Sequence, residues 1–288
     1  MKLATFRLAG RRFVGLVSYD RASVAALAFQ ADERGALAMV EHLAAGRSLP
    51  EVTSPALALA AVQLEAPIPR PRRNVFCVGR NYRAHAQELK GSVFKADEKP
   101  IDEWPIIFSK VPESVVGPGA PIRLPGSGIT EQIDYEAELA VVIGRGGRNI
   151  AARDAMAHVW GYTIVNDVTA RDVQMRHAQW HLGKSFDTFC PMGPWLVSAD
   201  EIDGRNVRVR LWVNDELRQD APSSDLIFGI PVLIETISRG ITLYPGDLIA
   251  TGTPAGVGMG FDPPRWLKSG DRVRIEIEGI GVLENPVE

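Results

Sequence analysis

Between Glu136 and Ile143 the chain reads Glu-Ala-Glu-Leu-Ala-Val-Val-Ile, so two acids run without a break into an apolar stretch that ends at Gly144. An uninterrupted apolar run of this kind predicts a strand buried on both faces. Side chains alternate along a strand, so Glu136 and Glu138 leave one face while Tyr135, Ala137 and Leu139 leave the other. Asp134 stands two residues earlier, and Asp167 follows in Val-Asn-Asp-Val-Thr-Ala-Arg-Asp. A solvated edge strand can carry such acids without further consequence. A buried strand cannot, because desolvating a lone carboxylate costs several kcal/mol unless a cation compensates it. A donor set of oxygens with no Cys or His then suits a hard cation, Mg2+ or Mn2+, over zinc or copper.

The remaining punctuation predicts a β-rich α+β fold. Residues 1–70 read as a small N-terminal domain, with strands over 3–8, 12–18 and 24–29 and a helix over 35–46. Residues 64–73, Leu-Glu-Ala-Pro-Ile-Pro-Arg-Pro-Arg-Arg, carry three prolines within five positions and read as a linker. From residue 71 to 288, short strands (75–78, 106–109, 136–143, 161–165, 207–213, 247–251, 272–277) alternate with Pro and Gly turns. Short helices are predicted over 82–89, 151–157, 170–180 and 230–239.

Charge and cysteine usage exclude several classes of partner. Lys plus Arg number 32 against 35 for Asp plus Glu, so the chain has no basic footprint for nucleic acid or an anionic membrane surface. No stretch approaches the roughly 20 apolar residues of a membrane span, and the N-terminus lacks the apolar core of a signal peptide. Cys77 and Cys190 have no paired spacing and read as reduced thiols, which fits a cytoplasmic protein.

Two motifs are decoys. Gly144 and Gly146 open a G-x-G pattern whose third position is Asn149, so a tight turn is the better reading than a dinucleotide site. His177 and His181 are four apart but lack the Glu of a His-Glu-x-x-His site, and read as hydrogen-bonded histidines. On the helix predicted after Asp167, that residue, Arg171 and Gln174 fall at i, i+4 and i+7 and share one side. Arg171 is there either an ion-pair partner for the acids or a contact for a substrate carboxylate, and both are compatible. His85 and Glu88, at i and i+3, outline a general-base pair in which the carboxylate orients the imidazole; an exposed helix carries such pairs by chance as well.

Gly79-Arg-Asn-Tyr-x-x-His85-x-x-Glu88, Phe108-x-Lys110, Asp134-Tyr-Glu136-x-Glu138-Leu, Asn166-Asp167-Val-Thr-Ala-Arg171-Asp-Val-Gln174, Gly183-Lys184-Ser-Phe-Asp and Thr251-Gly-Thr253-Pro appear in this order. Together they resemble the fumarylacetoacetate hydrolase family from about Arg72 onward. The resemblance implies a β-roll catalytic domain, usually homodimeric, with Mg2+ or Mn2+ held by Glu136, Glu138 and Asp167. It also implies that His85 and Glu88 sit on a lid-like segment, that Lys184 stabilises developing negative charge, and that Arg171, Gln174, Thr253 and Tyr82 bind substrate. Residues 87–105 are longer and more charged than a compact lid needs, and are either a specificity element or a surface insertion.

The implied function is a metal-dependent hydrolase cleaving a carbon–carbon bond in a 1,3-diketone 2-oxoacid, such as an acylpyruvate or a fumarylacetoacetate-like compound, with release of pyruvate. The alternative keeps the metal site but isomerises or decarboxylates a 2-hydroxyhepta-2,4-diene-1,7-dioate type compound in aromatic catabolism, or tautomerises or decarboxylates oxaloacetate. A metal-stabilised binding protein without turnover is a further class.

Overall fold

The computed structural model describes all of residues 1–288 other than 91–101, 127 and 177–178, and the side chains of 89 and 90 are also outside the described set. In the first half, the strands are β1 (Lys2–Leu8), β2 (Arg11–Val17), β3 (Ser23–Ala26), β4 (Leu57–Ala58), β5 (Gln63–Leu64), β6 (Val75–Gly79), β7 (Ile106–Lys110), β8 (Val115–Val116), β9 (Ile133–Asp134) and β10 (Ala137–Ile143). They continue with β11 (Val159–Asn166), β12 (Thr169–Ala170), β13 (Cys190–Ser198), β14 (Arg208–Val213), β15 (Glu216–Pro222), β16 (Leu248–Ala250), β17 (Arg272–Ile277) and β18 (Gly281–Pro286). The α-helices among the described residues are α1 (Ala36–Ala44), α2 (Arg83–Lys90), α3 (Arg171–Arg176), α4 (His181–Lys184) and α5 (Ile230–Ser238).

The β-rich α+β architecture rests on one large sheet in the order β4-β3-β2-β1-β13-β11-β10-β16-β6-β7, with β5 and β8 alongside, and a four-stranded sheet β15-β14-β17-β18. β10 lies inside the large sheet, paired with β11 and β16, and every one of its residues is buried. Its alternation divides the interior. Leu139, Val141 and Ile143 join the core shared with the four-stranded sheet (Val209, Leu211, Val273, Ile275), whereas Ala140 and Val142 join the core beneath α1 (Leu37, Met39, Val40). Two-sided burial explains why the run carries no alternation of its own. The first four strands continue the same sheet, since β1 pairs with β13 at Lys2↔Val197 and Leu3↔Leu196.

Most expected elements lie within two residues of their observed bounds. Three strands longer than two residues escaped the sequence, β13, β15 and β18, as did the two-residue β4, β5, β8, β9 and β12. β13 contains Pro191 and Pro194, which remove ladder donors and mask the strand signal. The helix expected over 170–180 is shorter. α3 begins at Arg171, so Asp167 precedes it and does not share a helical face with Arg171 and Gln174. Asp167 is placed instead by its N–H, which donates to Glu136 O at 2.8 Å. The segment expected as a helix over 151–157 is a 3-10 helix, Ala152–His158. Gly144 to Asn149 forms a turn, Gly144 N–H donating to His158 O at 2.7 Å, with Asn149 in the left-handed region at φ 54°. No helix among the described residues is long and apolar enough to cross a membrane.

Candidate active site

Glu136, Glu138 and Asp167 each direct one carboxylate oxygen into a group whose members lie within 4.8 Å of one another, all three residues buried. Glu136 stands just before β10 and Glu138 within it, while Asp167 follows β11, the antiparallel neighbour, so the sheet itself brings the acids together. Two lysines share this ground. Lys184 Nζ donates to Glu136 Oε2 and Asp167 Oδ2, both at 2.8 Å. Lys110 Nζ, fully buried at the end of β7, donates to Asp167 Oδ1 at 2.7 Å, to Val168 O at 3.0 Å and to Lys184 O. Arg171 pairs with Glu136 at 2.7 Å, and its Nε donates to Asp134 Oδ2 at 2.8 Å. Asp134 also accepts the N–H groups of Tyr135, Gly258 and Met259.

Four buried carboxylates thus face three buried cations, and the charge left over falls on Glu138. Burial pushes the Glu136 carboxyl up, but Lys184, Arg171 and His85 hold it down at about 2. Among the described residues, no cation pairs directly with Glu138. Burial, then Asp167, then Glu136, push its carboxyl well above the usual range, with the Gly252 N–H at 2.8 Å giving partial relief. Burial opposes the Lys184 charge, yet Asp167 and Glu136 raise its pKa.

Above the acids, α2 brings His85 to the same place. His85 is buried, not on an exposed helix face, and its Nδ1 lies 3.1 Å from Glu88 Oε2. His85, Glu136, Glu138, Arg171, Gln174, Lys184 and Thr253, with Arg80, Phe108 and Trp180, line a cavity of about 20 Å³. That is room for one water or one ion. Arg171 Nη1 donates to Gln174 Oε1 at 3.2 Å, and Thr253 Oγ1 accepts from Gln219 Nε2 at 2.8 Å. Tyr82 is buried but is not among the residues lining this cavity; it lines the neighbouring pocket with Arg83, Asp220 and Asp225, and its hydroxyl has no hydrogen-bond partner among the described residues. His181 Nδ1 lies 3.2 Å from Ser109 O, a hydrogen-bonded histidine, while His177 and most of the 87–105 segment lie outside the described residues.

Residues 74–288 match the fumarylacetoacetate (FAA) hydrolase C-terminal family. The chain belongs to this family. Among relatives of the fumarylacetoacetate hydrolase family it is 52% identical over 230 residues to "Oxaloacetate tautomerase YisK" of Bacillus subtilis (strain 168), covering 80% of this chain and 74% of that protein. Its structure is similar to a fumarylacetoacetate hydrolase from Exiguobacterium antarcticum, with a TM-score of 0.85, 39% identity and coverage of 100% of this chain and 99% of the other. It is also similar to a 2-hydroxyhepta-2,4-diene-1,7-dioate isomerase from Mycobacterium marinum, with a TM-score of 0.77, 37% identity and coverage of 100% and 98%.

The acid triad can hold a divalent cation. Opposite ligands of an octahedral Mg2+ are about 4 Å apart, close to the observed spread, and the set is all oxygen. The surplus negative charge at Glu138 is what such a cation would compensate. Three contributors to this family site lie beyond the expected ligands and binding residues. Lys110 appeared only as a motif residue, Asp134 only as a member of the acidic alternation, and Gln219, which also donates to Pro254 O at 2.7 Å, had no local signal because its partners are 34 and 35 positions away.

Proposed function

We propose that this chain is a divalent-metal-dependent enzyme that enolises a small 2-oxoacid, with keto–enol tautomerisation of oxaloacetate as the first reading. The observation that carries it is buried His85, hydrogen-bonded to the half-buried Glu88 and opening on the same cavity as Glu136, Glu138 and Lys184. The oxaloacetate tautomerase name of the Bacillus subtilis relative supports this reaction over carbon–carbon hydrolysis, which the sequence placed first.

Mg2+ or Mn2+ at Glu136, Glu138 and Asp167 would supply Lewis acidity at the keto oxygen and a template for the oxoacid end. Glu88 holds Nδ1 of His85, leaving Nε2 to take the C3 proton. The C–H electron pair becomes the C2–C3 double bond, and the proton is delivered to the former keto oxygen. Lys184 carries the negative charge that develops on that oxygen. Arg171, tied to Asp134 and Glu136, keeps this wall in register, and Gln174 with Thr253 receives the substrate carboxylate.

A second reading, hydrolysis of an acylpyruvate-like diketone, draws on the one-water volume of the cavity and on the hydrolase among the similar structures. Isomerisation or decarboxylation of a 2-hydroxyhepta-2,4-diene-1,7-dioate type compound draws on the isomerase among them. The test follows enol-to-keto conversion of oxaloacetate by ultraviolet absorbance, with Mg2+ or Mn2+ and with a chelator, in H2(18)O. Metal-dependent acceleration without solvent oxygen in a new carboxylate supports tautomerisation. Pyruvate release from an acylpyruvate with solvent oxygen in the second acid, and no acceleration on oxaloacetate, replaces it with hydrolysis. We further propose a homodimer, a cytoplasmic location in keeping with the unpaired Cys77 and Cys190, and a small unit over 1–70 beside a catalytic unit over 71–288.

A further inference from the structure

Glu88 is held by more than its histidine. Its Oε1 accepts the Gly256 N–H at 2.9 Å while Oε2 faces His85. A Cβ on Gly260 would collide with Glu88 Oε1 and Cδ and come within 2.6 Å of Cγ, so its three nearest neighbours are all atoms of this one side chain. Gly260 does not occupy the left-handed region, so the position calls for glycine through space and not through backbone conformation. The loop that presents it is fixed from below. Asp134 accepts Gly258 N–H at 2.6 Å and Met259 N–H at 3.0 Å, and the same carboxylate receives Arg171, which pairs with Glu136. The seat for Glu88 is therefore continuous with the wall that carries the acid triad.

We propose that Gly260 is a positioning residue for proton transfer: the missing side chain at 260, together with the Gly256 N–H, fixes the Glu88 carboxylate where it orients His85. The inference rests on His85 and Glu88 being the acid–base pair, and it deepens that reading by naming what sets their geometry. The three nearest atoms all belong to Glu88, so Gly260→Ala is expected to move that carboxylate and leave the triad in place.

The experiment uses the full chain with diamagnetic Mg2+ and the variants G260A, E88A, G260A/E88A, E88D and G260A/E88D. Turnover of oxaloacetate is read beside the hydrogen-bonded Nδ1–H resonance of His85 in proton–nitrogen spectra. G260A is expected to lose that resonance and slow turnover about 100-fold, since misplacement of a proton-transfer group by an ångström has that order of effect. Mg2+ affinity should be unchanged. Because the substitution acts through Glu88, G260A/E88A should be no slower than E88A, and should melt where E88A melts. The shorter side chain of E88D leaves room for the new methyl, so G260A should slow that background by less than about threefold. A wild-type resonance and turnover in G260A overturns the proposal, as does a double variant slower than E88A by the full G260A factor, which would mark Gly260 as a loop-packing residue. Should the wild-type protein fail to tautomerise oxaloacetate, the substrate reading falls by itself; the resonance then decides the seat, its loss in G260A supporting it and its retention overturning it.

Discussion

The floor and the roof of the cavity are built on opposite plans. The floor carries its acids on or beside central strands, with Lys110, Lys184 and Arg171 threaded among them, and every one of these side chains is buried. The roof is a two-turn helix from which His85 lines the cavity, while Glu88 behind it holds one hydrogen bond to His85 and one to a loop. A floor of paired buried charges is rigid because removing any member strands another in low dielectric. An acid–base pair held by two described hydrogen bonds can be repositioned at lower cost. The lesson is a division of labour: metal affinity and stability should depend on the floor, proton transfer on the roof.

The largest expected effect tests the roof. His85→Ala should lower kcat on oxaloacetate by about 10²- to 10⁴-fold, the usual contribution of a positioned acid–base group. Its melting temperature should move by no more than about 2 °C, because the deleted ring borders the cavity and its described hydrogen bond is to the half-buried Glu88. A variant that melts far below wild type would show that the roof is structural after all and erase the contrast.

Lys110→Met tests the floor. Asp167 would keep Lys184 but lose its second cation in a site with no exposure, and breaking a buried pair costs about 3–5 kcal/mol. For a domain of this size that corresponds to a fall in melting temperature of roughly 10 °C by calorimetry. A change below about 2 °C would mean that the floor relaxes as easily as the roof.

Metal linkage should sharpen the same contrast at a smaller scale. Saturating Mn2+ is expected to raise the melting temperature, by about 2.7 kcal/mol of stabilisation at a hundredfold excess over Kd, and a chelator should reverse it. Glu138→Gln should abolish that response. It should also hold or raise the melting temperature of the metal-free protein, since the carboxylate whose ionisation the surrounding acids oppose is the one removed. His85→Ala should leave the metal response intact. Equal loss of the response in both variants would place the cation somewhere other than the acid triad.

The contrast also explains what the sequence disclosed. The floor was readable because its geometry is local: the two-residue period of a strand sets Glu136 beside Glu138, and the apolar run after them announces burial. Asp167 entered through a motif, and its true placement, ahead of α3 and fixed by Glu136 O, comes from strand pairing that no local pattern encodes. The fold class was legible from turn punctuation, while β13 was hidden by its own prolines. The roof was legible only as a His and Glu three apart. What turns that spacing into a site is Gly256 and Gly260, some 170 residues away, and glycines in a loop rich in them carry no sign of which one must lack a Cβ.

Tyr82 supplies the smallest effect and the finest test, because it stands at the start of the roof and the resemblance assigns it to substrate. Its hydroxyl is buried without a hydrogen-bond partner among the described residues, and burial, then Glu138, raise its pKa. An unsatisfied buried hydroxyl is destabilising, so Tyr82→Phe should be neutral or stabilising by up to about 1 kcal/mol. If Tyr82 belongs only to the scaffold, kcat/KM on oxaloacetate should stay within about twofold of wild type. If the hydroxyl instead turns toward a bound oxoacid when α2 lifts, KM should rise with kcat unchanged, the signature of lost uniform binding. That outcome would make the roof a substrate-binding element as well as a proton-transfer one, and the division between floor and roof would have to be redrawn at Tyr82.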